Sequence, residues 1–154
     1  MSAAARVLAL SLAVASLTGC SVLSDALGEG EQGVFTLAVG DCLNDDTQEG
    51  EVSTIPVVDC DEPHDSEVYA SVLMDDGDYP GEDATVAFAD EQCTAQFEAF
   101  VGLSPEESKY GYGVLYPTAQ SWAGGDREVL CRIVLGDGNG NTVKVTGSLE
   151  NADE

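Results

Sequence analysis

Apolar positions are distributed along this chain in three different patterns. Between Val7 and Leu17 only Ser11 and Ser16 interrupt the apolar residues, and Arg6 is the sole charge before Asp25. Ser21 to Gly33 is small and polar with no sustained period. From Val34 onward, strand-like runs predict β-structure at residues 34–39, 52–58, 67–73, 112–116, 128–135 and 142–146. Pro56 places the second run at a sheet edge. Asn44 to Gly50 reads as an acidic loop, and Gly136 to Asn141 as the turn of a hairpin. One helix is predicted over Glu82–Val101: Val86, Ala89, Cys93, Phe97 and Phe100 recur on one face, Phe88 falls off it, and Gly102 stops it. Ser104-Pro105-Glu106-Glu107 reads as the capped first turn of a short second helix. The sum is an α+β fold, an antiparallel sheet of about six strands with one main helix packed on it.

The first pattern is an export signal. A spanning helix needs about 20 predominantly apolar residues, and this stretch is shorter. It ends in Leu17-Thr18-Gly19-Cys20, a leucine, two small residues and a cysteine. That is the bacterial lipobox pattern, in which the cysteine is lipidated and becomes the new N-terminus. Residues 1–19 are therefore read as a lipoprotein signal peptide, Cys20 as the lipidation site, 20–33 as a tether and 34–150 as the domain. Two acyl chains on Cys20, at about 0.8 kcal/mol per buried CH₂, anchor stably to the bilayer where one is marginal. The tether of about 12 residues has a root-mean-square span of roughly 20 Å, which holds the domain close to the membrane's outer face. The alternative is an ordinary secretory signal that releases a soluble protein.

Charge then narrows the partners. All 29 acidic residues lie beyond Cys20, and without Arg6 only four of the five basic residues remain. Nucleic acid is excluded as a partner, because phosphate binding needs clustered Lys and Arg. Electrostatic docking on anionic headgroups is excluded for the same reason. Cationic partners, divalent ions or a basic protein face are compatible with the charge, as is a role in solubility alone. Setting Cys20 aside leaves Cys42, Cys60, Cys93 and Cys131, an even number in a chain bound for an oxidising compartment. Of three pairings we favour the sequential one, Cys42–Cys60 and Cys93–Cys131, because it closes short loops and staples the helix to a strand. Each disulfide contributes roughly 3–4 kcal/mol on the chain-entropy account. A zinc site is the rival explanation, but there is no Cys-x-x-Cys and His64 is the lone histidine.

Catalytic chemistry is hard to place. Asp137, Asn139 and Asn141 alternate as in a calcium loop, yet Thr142 stands where that loop needs glycine and Ser148 where it needs a bidentate acid. The acidic stretch from Asp75 to Asp83 reads as a solvated loop. His64, beside Asp65 and Glu67, is the only imidazole base, and no Gly-x-Ser-x-Gly accompanies it. It reads as a structural corner or a candidate binding residue. Trp122 with Arg127 is either a binding hot spot or a local cation–π clamp. Tyr110, Tyr112, Tyr116 and Trp122 form an aromatic surface or half-buried strand positions. No catalytic residue, metal ligand or cofactor is assigned.

Several of these segments together resemble a known family. Val39-Gly40-Asp41-Cys42-Leu43, Val58 to Tyr69 (VDCDEPHDSEVY), Tyr79-Pro80-Gly81, Cys93, Tyr116-Pro117-Thr118, Trp122 with Gly125-Asp126-Arg127, Cys131 and Thr146 to Leu149 resemble the septum formation domain family of actinobacterial envelope lipoproteins. The resemblance implies a non-enzymatic module, without cofactor, whose partner is an envelope or division protein or a wall component. Two other readings stay open: an extracytoplasmic hydrolase using His64 or an acidic pair, and a surface lipoprotein that binds divalent cations.

Overall fold

The computed structural model describes residues 31–45 and 50–153. The leader, Cys20 and the tether through residue 30 lie outside them, as do 46–49 of the acidic loop. The elements in chain order are β1 (Glu31–Gly33), a single 3-10 turn (Val34–Thr36), β2 (Cys42–Leu43), β3 (Thr54–Val58), β4 (Ser66–Leu73), α1 (Glu82–Val101), β5 (Gly111–Leu115), α2 (Ala119–Ala123) and β6 (Glu128–Val134). The strands form one sheet in the order β1-β3-β2-β4-β6-β5, antiparallel at every pairing. The α+β class and both sequential disulfides, Cys42–Cys60 and Cys93–Cys131, are as the sequence predicts.

β4 and β6 are the centre of the sheet. Along β6, Val129, Cys131 and Ile133 face α1 while Leu130 faces the opposite side, the two-residue period of a strand. β4 carries a bulge between Val68 and Ala70. The extra residue lets Tyr69 and Ala70, though consecutive, both join the core under α1, while Val68 joins the other. The α1 core is built by Thr85, Ala89, Cys93, Phe97 and Val101 at four-residue steps. The Tyr69 ring meets Phe97 edge-on at 5.8 Å, and its hydroxyl donates to the Cys93 carbonyl at 2.8 Å. Burial raises the Tyr69 pKa above the ordinary phenol value. A second, smaller core of Leu37, Leu43, Ile55, Val68 and Leu130 lies on the other face of the sheet.

Five local expectations are corrected. Residues 34–39 do not form a strand: the Ala38 N–H donates to Asp41 Oδ2 and Gly40 takes φ 95°, so the chain turns there. The strand pairing falls instead to Glu31–Gly33 and to Cys42–Leu43, the latter held opposite Val57–Val58 beside its disulfide. β3 is not an edge strand, because β1 covers it. Pro56 acts differently: its carbonyl accepts from the Asn44 N–H at 3.0 Å, but it has no N–H to return, and the β2–β3 ladder stops at Leu43. Residues 142–146 form only two single bridges, Gly136 with Thr142 and His64 with Val145. Val145 is drawn away from the hairpin by its backbone exchange with His64. Ser104–Glu107 is a turn closed by Ser104 on Glu107, whereas the short helix forms at Ala119–Ala123 behind a Thr118/Ser121 capping box. On α1, Val86 is 37% exposed, and Phe88 is partly buried against the core.

Candidate functional site

α2 and β6 are joined by a tight turn that places Arg127 over Trp122. The guanidinium carbon lies 3.8 Å from the indole centroid, while Nη1 donates to the Trp122 carbonyl at 2.9 Å and to the Asp126 carbonyl at 2.6 Å. The indole N–H donates to the Gly77 carbonyl at 3.0 Å, Arg127 Nε sits 3.3 Å from Asp76 Oδ1, and Tyr79 packs at 5.7 Å. Trp122 is only 6% exposed. The pair thus clamps the acidic loop 75–79 to α2. Tyr110 is buried in the α1 core and Tyr112 and Tyr116 are partly buried against that same core, whereas Trp122 lies outside it, so the four are packed positions and not one aromatic surface.

Beside that clamp lies an open groove of about 1320 Å³ lined by residues of α2, β5, the 3-10 turn and residues 50–53. Phe35, 63% exposed, together with Val52, Leu115 and Tyr116, supplies apolar lining. Glu51, Glu82, Asp126 and Glu128 supply the charge, and among the described residues no Lys, Arg or His lines it. Burial, reinforced by the Glu82 carboxylate, raises the Tyr116 pKa. Asp126 accepts from the Ser121 hydroxyl and the Glu128 N–H, which holds the α2–β6 turn at the groove's end.

The basic residues are occupied elsewhere. Arg132 projects from β6 onto the buried carboxylate of Asp45, which also accepts from Ser66 at 2.9 Å. Lys144 pairs with Asp65 at 2.9 Å, and Lys109 lies 5.1 Å from the Tyr110 ring centroid. With Arg127 in its clamp, all four cations of the described residues make internal contacts, and the outer field is left to the acids. Arg132 carried a sequence signal, since a lone cation inside the run EVLCRIVL needs a buried partner. Nothing pointed to Asp45 as that partner.

His64 sits at the other end of the sheet and is fully buried. Its backbone exchanges hydrogen bonds with Val145 at 3.0 and 2.9 Å, and its Nδ1 lies 2.9 Å from the Glu62 carbonyl. A carbonyl only accepts, so Nδ1 carries a proton, and in the neutral ring Nε2 is the nitrogen with the lone pair. Nε2 has no hydrogen-bond partner among the described residues. Cys42 Sγ, a Glu67 carboxylate oxygen and a His64 ring nitrogen lie within 4.8 Å of one another. Glu67 is itself held by the Ser148 hydroxyl at 2.8 Å and the Leu149 N–H at 2.6 Å. The Gly136–Asn141 loop, by contrast, closes on itself. Asp137 Oδ1 accepts from the Asn139 and Asn141 N–H groups and Oδ2 from the Asn141 side chain, which holds its pKa at about 2.

An acidic, disulfide-stapled α+β domain with these features belongs to the Septum formation family, whose family model matches residues 28–154. Two similar proteins, of Mycobacterium tuberculosis (strain ATCC 25618 / H37Rv) and Mycobacterium bovis (strain ATCC BAA-935 / AF2122/97), both carry the name "Putative lipoprotein LppN". Each is 34% identical over 111 residues, covering 68% of this chain and 59% of its own length. The chain therefore spans less than two thirds of the relatives it matches. No solved structure matches it. No helix of the described residues is long and apolar enough to cross a membrane.

Proposed function

We propose that the chain is a non-catalytic envelope lipoprotein, held at the outer face of the cytoplasmic membrane by acylated Cys20, whose groove binds a basic segment of a division or wall-associated protein. The observation that carries this reading is the groove itself, whose lining combines apolar side chains with four carboxylates and includes no cation among the described residues. A partner strand alternating basic and apolar side chains matches both features. The family description and the lipoprotein name of the mycobacterial relatives support the envelope setting. His64 is fully buried and does not line the acidic groove, which supports a binding role over a hydrolytic one.

The setting is tested by a fluorescent fusion to the C-terminus in dividing cells. Accumulation at septa, lost in Cys20→Ala, is the expected result. A uniform membrane signal overturns the septal role, and an unchanged pattern in Cys20→Ala overturns the anchor. The groove is tested separately with a fluorescent peptide of alternating Lys and Leu. Reversing Glu51 and Glu82 to Lys should weaken binding about tenfold at low salt. The same reversal at exposed Asp61 and Glu91, which do not line the groove, should change it much less. Equal losses in the two variants would reduce the effect to overall charge.

A further inference from the structure

The corner at His64 is wired as a metal site would be, although its sulfur is tied up in a disulfide. A metal-binding histidine donates its second ring N–H to a carbonyl or carboxylate, which fixes the tautomer and aims the free nitrogen. His64 does this through Nδ1 on the Glu62 carbonyl. Its Nε2 is left buried and without a hydrogen-bond partner among the described residues. A ligating carboxylate is likewise held by hydrogen bonds of its own, and Glu67 has two, from Ser148 and Leu149. The third donor is Cys42 Sγ, and Cys60 Sγ is bonded to it. Leaving a buried acceptor without a donor is unfavourable, and none of the described residues supplies His64 Nε2 with one.

We propose that reduction of the Cys42–Cys60 disulfide by a dithiol converts this corner into a zinc site with Cys42, Cys60, His64 and Glu67 as ligands. In the reduction the S–S bond breaks, two S–H bonds form, and the dithiol leaves as its own disulfide. Zinc then enters without redox change as the two thiols release their protons to water. Sulfur, nitrogen and oxygen donors on one tetrahedral zinc lie roughly 3.3–3.8 Å apart, given their bond lengths. The Cys42, His64 and Glu67 donors already lie within 4.8 Å of one another, and Cys60 Sγ, bonded to Cys42 Sγ, joins them by side-chain rotation once the S–S bond is gone. Selectivity comes from access: Cys60 is half-buried, whereas Cys93 and Cys131 are wholly enclosed in the α1 core. Cys60 is therefore the sulfur a reductant reaches.

The test uses the full chain, oxidised and after phosphine reduction, with peptide mapping to establish that Cys93–Cys131 stays closed. Cobalt(II) is titrated as a spectroscopic probe and zinc as its competitor. The expected result is no saturable binding by the oxidised chain. The reduced chain should bind one equivalent, with a thiolate-to-cobalt charge-transfer band that zinc abolishes. His64→Gln and Glu67→Gln should each weaken binding by at least tenfold. X-ray absorption of the zinc-loaded reduced protein needs no variant, and it should give two sulfurs, one imidazole and one oxygen. Absence of saturable binding, affinity unchanged in both variants, or an all-sulfur or all-oxygen shell would each overturn the proposal.

Discussion

Replacing Cys93 and Cys131 together by alanine is expected to destabilise the domain by about 4 kcal/mol. The disulfide spans 38 positions in sequence, and a loop of that length gives about that figure on the chain-entropy account. Domains of this size are stable by only about 5–15 kcal/mol, so the loss is a large share of the whole. It also falls where α1 meets the centre of the sheet, since Cys93 lies between Ala89 and Phe97 on the buried helix face and Cys131 lies opposite Ala70 and Val114. Thermal unfolding followed by circular dichroism should show a drop of about 10–20 °C. The variant should keep its β content until then, because Phe97, Tyr69 and Val129 still form the core. A shift of only a few degrees would mean that side-chain packing, and not the covalent staple, holds the helix on the sheet.

Trp122→Ala is expected to cost about 3–5 kcal/mol, the range for removing a large buried ring. Three separate contacts go with the indole: its packing against Tyr79, its N–H bond to Gly77 and the cation–π contact with Arg127. The loop at residues 75–79 then loses its tie to α2, and α2 lines the acidic groove. The double effect is the informative one, because lower stability in urea should be accompanied by weaker binding of the Lys–Leu peptide. Trp122→Phe keeps an aromatic ring and loses the N–H donor, so it should cost only about 1 kcal/mol. Trp122 is the sole tryptophan, and unfolding must be followed by circular dichroism instead of fluorescence. If Trp122→Ala unfolds within 1 kcal/mol of the parent, the clamp is not what holds the loop.

The elements read from sequence differ from those in the structure for local reasons. Glu82–Val101 was legible because its face carries an apolar residue at every turn and Gly102 follows it, here at φ 95°. β4 and β6 were legible as short runs rich in β-branched, aromatic and aliphatic residues bounded by turn signals. Residues 34–39 had the composition of a strand, but the Asp41 carboxylate captures the Ala38 N–H and turns the chain before a ladder can form. The short helix was placed at Ser104 because Ser-Pro-Glu-Glu is a strong start signal. It forms instead where Thr118 and Ser121 cap each other and Trp122 has a pocket to fill, since so short a helix depends on packing more than on propensity.

The candidate residues divide in the same way. Trp122 and Arg127 stood out by rarity, and their clamp was one of the two readings their neighbourhood allowed. The groove had no sequence signature, for Glu51, Glu82 and the pair Asp126 and Glu128 come from three separate segments among 29 acids. Cys42, His64 and Glu67 also lack metal-ligand spacing, and β2 lying against β4 is what brings them together.

By itself the sequence determined the α+β class, the main helix and the excess of negative charge, because these follow from periodicity and composition, and it favoured the sequential disulfides that the structure shows. Only the tertiary structure decided which acids border a groove, which cations are spent on internal partners, and which way His64 Nε2 points. Those depend on strand order and on the Tyr69 bulge, which arise from long-range pairing that no local run of residues encodes.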